Sequence, residues 1–214
     1  ISGGEFWLGA PRGEDFVFDN EKWAHRVLLT PFAMARTAVT NEEFAAFVDA
    51  GGYRQRELWC ADGWQWRANA RAEAPVYWVC ESGQWLQRHY DQLQPLVPRA
   101  AVIHVNWYEA DAWCRWAGRR LPSEAEWEQA AATSPDDTNG ATHKRIYPWG
   151  QADADAVRAN LYAAGSAIAS VDDYAAGDSA WGCRQMLGNV WEWTADWFNP
   201  YPGFERDPYK EYSQ

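Results

Sequence analysis

The sequence predicts an α+β domain in which short helices and short strands are joined by much irregular structure. Three separate segments show a helix-start pattern followed by a short apolar face. The stretches between them are rich in aromatic residues and turn signals but lack a helical period. Because no repeat or linker marks a boundary, residues 1–214 are interpreted as one domain.

The first elements are predicted to be strands. Residues 6–9 lead into a turn at Pro11-Arg12-Gly13, and residues 27–29 and 32–35 lie on either side of Pro31. Apolar residues bounded by Gly and Pro are typical of short strands. The N-terminal region is therefore predicted to form a small sheet.

Three helices are predicted from capping boxes, in which a polar N-cap residue is followed three positions later by Glu. The three pairs are Thr40 with Glu43, Asn106 with Glu109, and Ser123 with Glu126. Gly51 and Gly118 are predicted to end the first and second helices. Cys114 lies on the apolar face of the second helix and is predicted to be buried.

The region between the first two helices, residues 53–97, has an irregular aromatic pattern. Asp62-Gly63 and Ser82-Gly83 are predicted turns, the second between hairpin strands. Flexible linkers do not carry so many rings, so an ordered excursion is expected. A polar loop is expected at residues 134–142.

Composition excludes several classes of function. The formal net charge of −11 argues against a nucleic-acid partner, because phosphate binding requires a surface rich in Lys and Arg. There is no apolar run of membrane length and no signal peptide, which predicts no membrane partner and a cytoplasmic location. The four cysteines form no CxxC pair, which argues against a zinc knuckle.

The most unusual stretch is residues 182–194. Gly188-Asn189 disfavours a helix, and Glu192 stands between Trp191 and Trp193. Burying a carboxylate costs several kcal/mol unless it is paired or bound to a metal. The segment therefore predicts a tight turn around either a cation or a hydrogen-bonded core.

Five ordered motifs carry a resemblance to a known family. They lie at residues 39–44, 105–110, 119–128, 147–150 and 188–194. In this order they resemble the formylglycine-generating-enzyme (sulfatase-modifying-factor) family, whose fold is a variant of the C-type-lectin-like fold. The resemblance covers nearly the whole chain and implies that fold here.

A narrower resemblance rests on residues 18–21 with His25 and on residues 51–59, 63–66 and 200–204. These look like the C-terminal domain of ergothioneine-biosynthesis sulfoxide synthases. The resemblance implies a non-haem Fe(II) enzyme that uses O2 to join a thiol to hercynine, which is trimethylhistidine. Relatives make ovothiol or selenoneine, so a selenol donor stays open as well.

The resemblance also implies that the Fe(II) ligands lie outside this chain. In the resembled enzymes they belong to an N-terminal DinB-like helical bundle. The histidines here have no helical spacing and lie in different regions: His25, His89, His104 and His143. The chain is thus expected to be the substrate-binding half, truncated at both ends. It stops before the Arg-Gly-Gly-Ser strand that closes the resembled fold.

Candidate substrate residues follow the 182–194 turn. Trp197 and Phe198 could bind a trimethylammonium group through cation–π attraction, with Asn189 and Asp196 nearby for polar contacts. Core packing is the alternative for Trp197. Arg206 could hold a substrate carboxylate, and a surface position is its alternative.

The resembled enzymes also use a tyrosine as an acid or hydrogen-bond donor to an oxygen intermediate. Tyr162 and Tyr174 are the two candidates, and a structural role is the alternative for each.

A structural Ca²⁺ is implied at the 182–194 turn by the family resemblance. The matching positions are Gln185, Gly188, Val190 and Glu192. Calcium takes six to eight oxygen ligands, which carbonyls, an amide oxygen and one carboxylate could supply. The alternative is a Glu192 carboxylate hydrogen-bonded to backbone amides. A second family calcium site matches only at Asn160 and Leu161 and has no evident acidic partner.

Two other functions remain open. One is a non-catalytic C-type-lectin-like binding module. The other is a formylglycine-generating oxidase, which in this family uses a C-terminal cysteine pair to bind copper. No cysteine follows Cys183, so the sequence favours the iron-dependent function over this oxidase.

Overall fold

Short capped helices and two small antiparallel sheets build the fold, as the sequence predicts. The computed structural model describes residues 1–13, 16–136, 144–161 and 168–208. Its helices are α1 (Asn41–Asp49), α2 (Ala61–Ala70), α3 (Trp107–Trp116) and α4 (Glu124–Ala132). Its strands are β1 (Gly4–Leu8), β2 (His25–Leu29), β3 (Trp78–Glu81), β4 (Gln84–His89) and β5 (Gln92–Pro95).

All three predicted capping boxes are confirmed. In α3, the backbone N–H of Glu109 donates to Asn106 Oδ1 at 3.1 Å, and the N–H of Asn106 donates to Glu109 Oε2 at 2.8 Å. The Thr40 and Ser123 boxes have the same reciprocal bonds at the starts of α1 and α4. Each box satisfies two backbone donors that a helix start would otherwise leave without partners.

The N-terminal sheet pairs β1 with β2, and Phe6 faces Val27 across it. Phe6 and Leu8 are buried against Ala125 of α4, so the sheet lies on that helix. The predicted strand at residues 32–35 is wrong, because that segment pairs with no strand in the described part of the chain. It runs along the wall of a large cavity instead.

Asp62-Gly63 does not form the predicted turn, because both residues belong to α2. Cys60 acts as the N-cap, and its Sγ accepts from the Gly63 N–H at 3.3 Å. A Cβ on Gly63 would lie 3.0 Å from the Cβ of Tyr108. The glycine therefore serves the close approach of α2 to α3 rather than a turn.

The aromatic excursion is ordered, as predicted, and ends in a three-stranded sheet in the order β3-β4-β5. The hairpin turn at Ser82-Gly83 is confirmed, with φ of 50° and 80°. Both angles are positive, as the tightest hairpin turns require. β5 was not predicted, because its sequence carries few β-branched or aromatic residues.

The main core lies between α1, α3 and the excursion. Cys114 is buried in it, as predicted. Its largest buried rings are Phe44, Phe47, Tyr53, Trp59, Trp78 and Trp113. None of the helices in the described residues combines the length and apolar character that crossing a membrane requires.

Candidate functional site

The 182–194 segment forms a tight turn, as predicted. Gln185, Gly188 and Asn189 all have left-handed backbone angles, with φ of 57°, 80° and 64°. A Cβ on Gly188 would lie 2.8 Å from the carbonyl oxygen of Asn160, so both the angle and the space favour glycine. The turn is therefore pressed against the segment that carries Asn160.

The Asn189 side chain ties the turn to two other segments. Its Oδ1 accepts from Asn160 Nδ2 at 3.0 Å and from the Ala169 N–H at 2.9 Å. Its Nδ2 donates to Gln185 Oε1 at 2.8 Å. Asn189 also contributes to the wall of the large cavity. The amide predicted to contact substrate thus already holds the turn together.

Three of the four predicted calcium ligands, Gln185, Gly188 and Glu192, have partners inside the protein. Gln185 Oε1 accepts from Asn189, and the Gly188 carbonyl accepts from the Val190 N–H at 2.9 Å. Gln185 Nε2 donates to the carbonyls of Ser170 and Asp173. Within the described residues, no three His, Cys, Asp or Glu side chains are grouped as metal ligands. This network matches the hydrogen-bonded core that the sequence left open, and calcium stays a prediction.

Glu192 lies in the wall of the large cavity, which has a volume of about 1050 Å³. Its Oε2 accepts from the indole N–H of Trp127 at 2.5 Å, rather than from backbone amides. Its side chain keeps surface open to the cavity although protein surrounds it. This desolvation raises the pKa of Glu192, and the bond from Trp127 opposes the rise. Such a carboxyl group can bind a cation or hold a proton.

The cavity wall is mostly apolar, and much of it comes from residues 32–39, 102–105, 118–122 and 189–193. Arg120 is held by Glu126 through two bonds of 2.6 Å. The guanidinium of Arg119 lies over the Trp113 ring, 5.7 Å from its centroid. The cavity thus has a cationic group at Arg119 and an acidic group at Glu192.

The segment after the turn is anchored along residues 193–195. The indole N–H of Trp193 donates to the Val105 carbonyl at 3.0 Å, and the indole N–H of Trp107 donates to the Thr194 carbonyl at 2.8 Å. The next N–H, from Ala195, donates to the Pro122 carbonyl at 2.8 Å. These bonds fix the direction in which the following residues leave the turn.

Trp197 and Phe198 follow directly and are 85% and 79% exposed. The alternative in which Trp197 packs in the core is therefore wrong. Trp191 is fully exposed as well. With Trp193, which is about half exposed, the structure places four large rings in open positions within residues 191–198.

The other two predicted substrate residues are Asp196, which binds a helix start, and Arg206, which is exposed. Asp196 Oδ2 accepts from the Glu124 N–H at 2.6 Å, so it binds the first turn of α4. Arg206 is exposed, near the end of the described residues. Neither belongs to the wall of the large cavity, and Trp197 and Phe198 do not belong to it either. Of the predicted substrate residues, Asn189 alone contributes to that wall.

Of the two tyrosine candidates, Tyr174 is half-buried and left-handed at φ 62°, and its carbonyl accepts from the Gly177 N–H at 2.9 Å. It is not part of the cavity wall. Tyr162 lies outside the described residues, as does His143.

The sequence did not reveal two residues that shape this region. Trp127 is the partner of Glu192, 65 positions away, and no local signal links them. The Tyr201 hydroxyl donates to Glu124 Oε1 at 2.5 Å, and its ring meets His25 edge-on at 4.7 Å. Burial and Glu124 raise the pKa of Tyr201 well above its usual value. Its place in the 200–204 motif was the only available signal.

Comparison with known proteins identifies the family. Residues 1–213 match the Sulfatase-modifying factor enzyme 1-like domain. Hercynine oxygenases of Mycolicibacterium thermoresistibile and Mycolicibacterium smegmatis are 43% and 41% identical over 94% and 100% of this chain. A formylglycine-generating enzyme of Streptomyces coelicolor is 33% identical and covers 94% of this chain and 68% of its own length.

A solved structure, PvdO from Pseudomonas aeruginosa, aligns with a TM-score of 0.59 at 22% identity. It covers 92% of this chain and 69% of PvdO. This likeness supports the fold. The chain spans only 44% and 48% of the two hercynine oxygenases. The chain belongs to the sulfatase-modifying-factor family and has the formylglycine-generating-enzyme type of fold.

Proposed function

We propose that the chain is the substrate-binding half of a non-haem Fe(II) hercynine oxygenase. The whole protein would use O2 to form a C–S or C–Se bond between hercynine and a thiol or selenol donor. The observation that carries the proposal is that the chain is more similar to hercynine oxygenases than to a formylglycine-generating enzyme of the same family. Identity is 41–43% with the two hercynine oxygenases and 33% with the Streptomyces formylglycine-generating enzyme.

The exposed rings support this function. Hercynine carries a trimethylammonium group, and such cations bind aromatic faces. Trp197 and Phe198 present their rings to solvent at the end of a segment that three hydrogen bonds hold in place. A fixed backbone lowers the ordering cost of binding. These two rings would hold the cationic end of the substrate.

Fe(II), when bound by the DinB-like part of the whole protein, would supply the activation of O2. The role proposed for this chain is to bind hercynine and orient its imidazole ring toward the other half.

A formylglycine-generating function fits less well. The four cysteines are Cys60, Cys80, Cys114 and Cys183, and all are free. Cys114 and Cys183 are buried, and burial raises the pKa of both thiols. The oxidases of this family are expected to bind copper through a cysteine pair, whereas Cys114 and Cys183 pack in separate core clusters.

The test is aerobic turnover by the full-length protein loaded with Fe(II), using hercynine with cysteine, γ-glutamylcysteine or a selenol donor. Mass spectrometry should detect a coupled product with at least one donor and none without Fe(II). Saturable binding of hercynine without any product would instead indicate a binding module. Oxidation of a sulfatase-type cysteine peptide, with no coupled product, would favour the formylglycine function.

A further inference from the structure

A second cavity, with a volume of about 620 Å³, is lined by residues of α2, β3, β4 and the start of α3. It shares one wall residue, His104, with the large cavity. We call it the tryptophan pocket, after Trp66, Trp78 and Trp85 in its wall. The function proposed above uses none of these residues.

The three indoles come from different elements, and two of them meet at an angle. Trp66 lies on α2, Trp78 on β3 and Trp85 on β4. The centroids of Trp78 and Trp85 are 5.8 Å apart, with their planes at 50°. Trp66 and Trp85 are half-buried, so each keeps some ring surface open. Angled ring faces around a cavity attract cations, because each face carries negative charge density.

An acidic residue in the wall also favours a cationic ligand. Glu109 is 3% exposed and lines the pocket. Its oxygens accept from the Tyr53 hydroxyl at 2.5 Å and the Asn106 N–H at 2.8 Å, and both of these donors are neutral. No ion pair involves Glu109 within the described residues. Burial raises the pKa of Glu109, and the hydrogen bonds from Tyr53 and Asn106 oppose the rise. A positively charged ligand beside this carboxyl group would stabilise its ionised form.

The wall also contains a buried hydrogen-bond donor without an acceptor in the described part of the chain. Trp78 is 6% exposed, and its indole N–H has no acceptor among the described residues. Buried polar groups in proteins are nearly always hydrogen-bonded, so this N–H calls for an acceptor from a ligand or an ordered water. Exposed Arg71 and Glu73 also line the pocket and carry opposite charges.

We propose that the tryptophan pocket binds a small organic cation that also carries a hydrogen-bond acceptor, such as an amino-acid betaine. The ring faces would bind the ammonium group. The acceptor would take a hydrogen bond from a donor in the wall, such as the Trp78 indole N–H. This site lies apart from Trp197 and Phe198, so the inference goes beyond the proposed function and does not depend on it.

The experiment uses the full-length protein labelled with 5-fluorotryptophan and titrated with glycine betaine and with tetramethylammonium. The ¹⁹F resonances of Trp66 and Trp85, assigned by Trp→Phe variants, should shift saturably with both probes. Trp85→Leu should weaken binding about fivefold by removing a ring face, and Trp85→Phe should restore part of it. Trp149→Leu, which changes an indole outside both cavities, is the matched control and should bind normally.

Three outcomes would overturn the inference: no saturable shift at Trp66 or Trp85, equal weakening in Trp149→Leu, or shifts confined to Trp197. The last outcome would leave the proposed function standing, because the cation would then occupy the predicted substrate region. Betaine binding at Trp66 and Trp85 in a protein that forms no product from hercynine would support this inference and contradict the proposed function.

Discussion

The helical core and the C-terminal turn are stabilised in opposite ways. Among the helices, α1, α3 and α4 each start with a box of two hydrogen bonds between residues three positions apart. In the turn, Asn189 bonds to residues 20 and 29 positions away, and Glu192 bonds to Trp127, 65 positions away. Indoles of the core are buried, whereas Trp191 and Trp197 of the C-terminal region are exposed. The comparison separates residues that hold the fold from residues free to bind a ligand.

The largest loss of stability is expected from a substitution in the helical core. Phe47 is fully buried and packs against Phe44, Tyr53 and Trp116. Phe47→Ala should lower the free energy of unfolding by about 3–5 kcal/mol, because it leaves a cavity among rings that cannot collapse. Urea unfolding of the full-length protein measures this.

The matched control is Phe198→Ala, which removes the same side chain from an exposed position. Its effect on stability should stay within about 0.5 kcal/mol. If the two variants lost equal stability, the division between a packed core and an exposed C-terminal segment would be wrong.

The next-largest loss of stability is expected when the long-range hydrogen bonds of the turn are removed. Asn189→Ala removes the acceptor of Asn160 Nδ2 and the Ala169 N–H, and the donor to Gln185. The variant should lose about 2–3 kcal/mol of stability, since partly buried polar groups are left without partners. Asn199→Ala, at an exposed asparagine of the same region, is the control and should be nearly neutral. Equal unfolding curves for wild type and Asn189→Ala would contradict the role given to this amide.

A smaller effect concerns the ionisation of Glu192. Its pKa is raised in the folded protein, so the folded state binds its proton more tightly than the unfolded state does. The resulting stability is present at low pH and is lost as the pH rises through the folded pKa. Glu192→Gln keeps an acceptor for Trp127 and should remove this loss. With chelator present, the variant should gain stability over wild type as the pH rises from about 4 toward 8.

The same variant tests calcium. If calcium binds the turn as the sequence predicts, adding it to chelator-treated wild type should raise the melting temperature, and Glu192→Gln should not respond. No change in wild type would leave the turn as the hydrogen-bonded core that Gln185 and Asn189 form in the structure.

The sequence separation of the contacting residues determines which features the sequence could predict. Helix starts and the Ser82-Gly83 hairpin depend on residues a few positions apart, so local chemistry is enough to find them. The turn at Gly188 was predicted from its residue types, but its partner Asn160 was not, because contacts between distant segments leave no local pattern. α2 was missed because the Asp62-Gly63 signal for a turn was overridden by packing of Gly63 against Tyr108.

For the candidate site, the sequence identified Trp197 and Phe198 as candidate cation-binding rings and left core packing open for Trp197. The exposure of Trp197 in the structure excludes core packing, and its binding of a cation stays a prediction. The roles of Asn189 and Asp196 could not be separated by sequence, since a polar side chain that binds a helix start or a loop has the same composition as one that binds a ligand.

The central claim is that Trp197 and Phe198 hold the cationic end of hercynine. It is tested most directly by calorimetric titration of hercynine into the full-length protein and its Trp197→Leu variant, with Trp149→Leu as the control. We expect Trp197→Leu to keep wild-type stability and to weaken binding by about 0.5–2 kcal/mol, the value of one cation–π contact. Unchanged affinity for hercynine in Trp197→Leu, or equal weakening in Trp149→Leu, would contradict the claim.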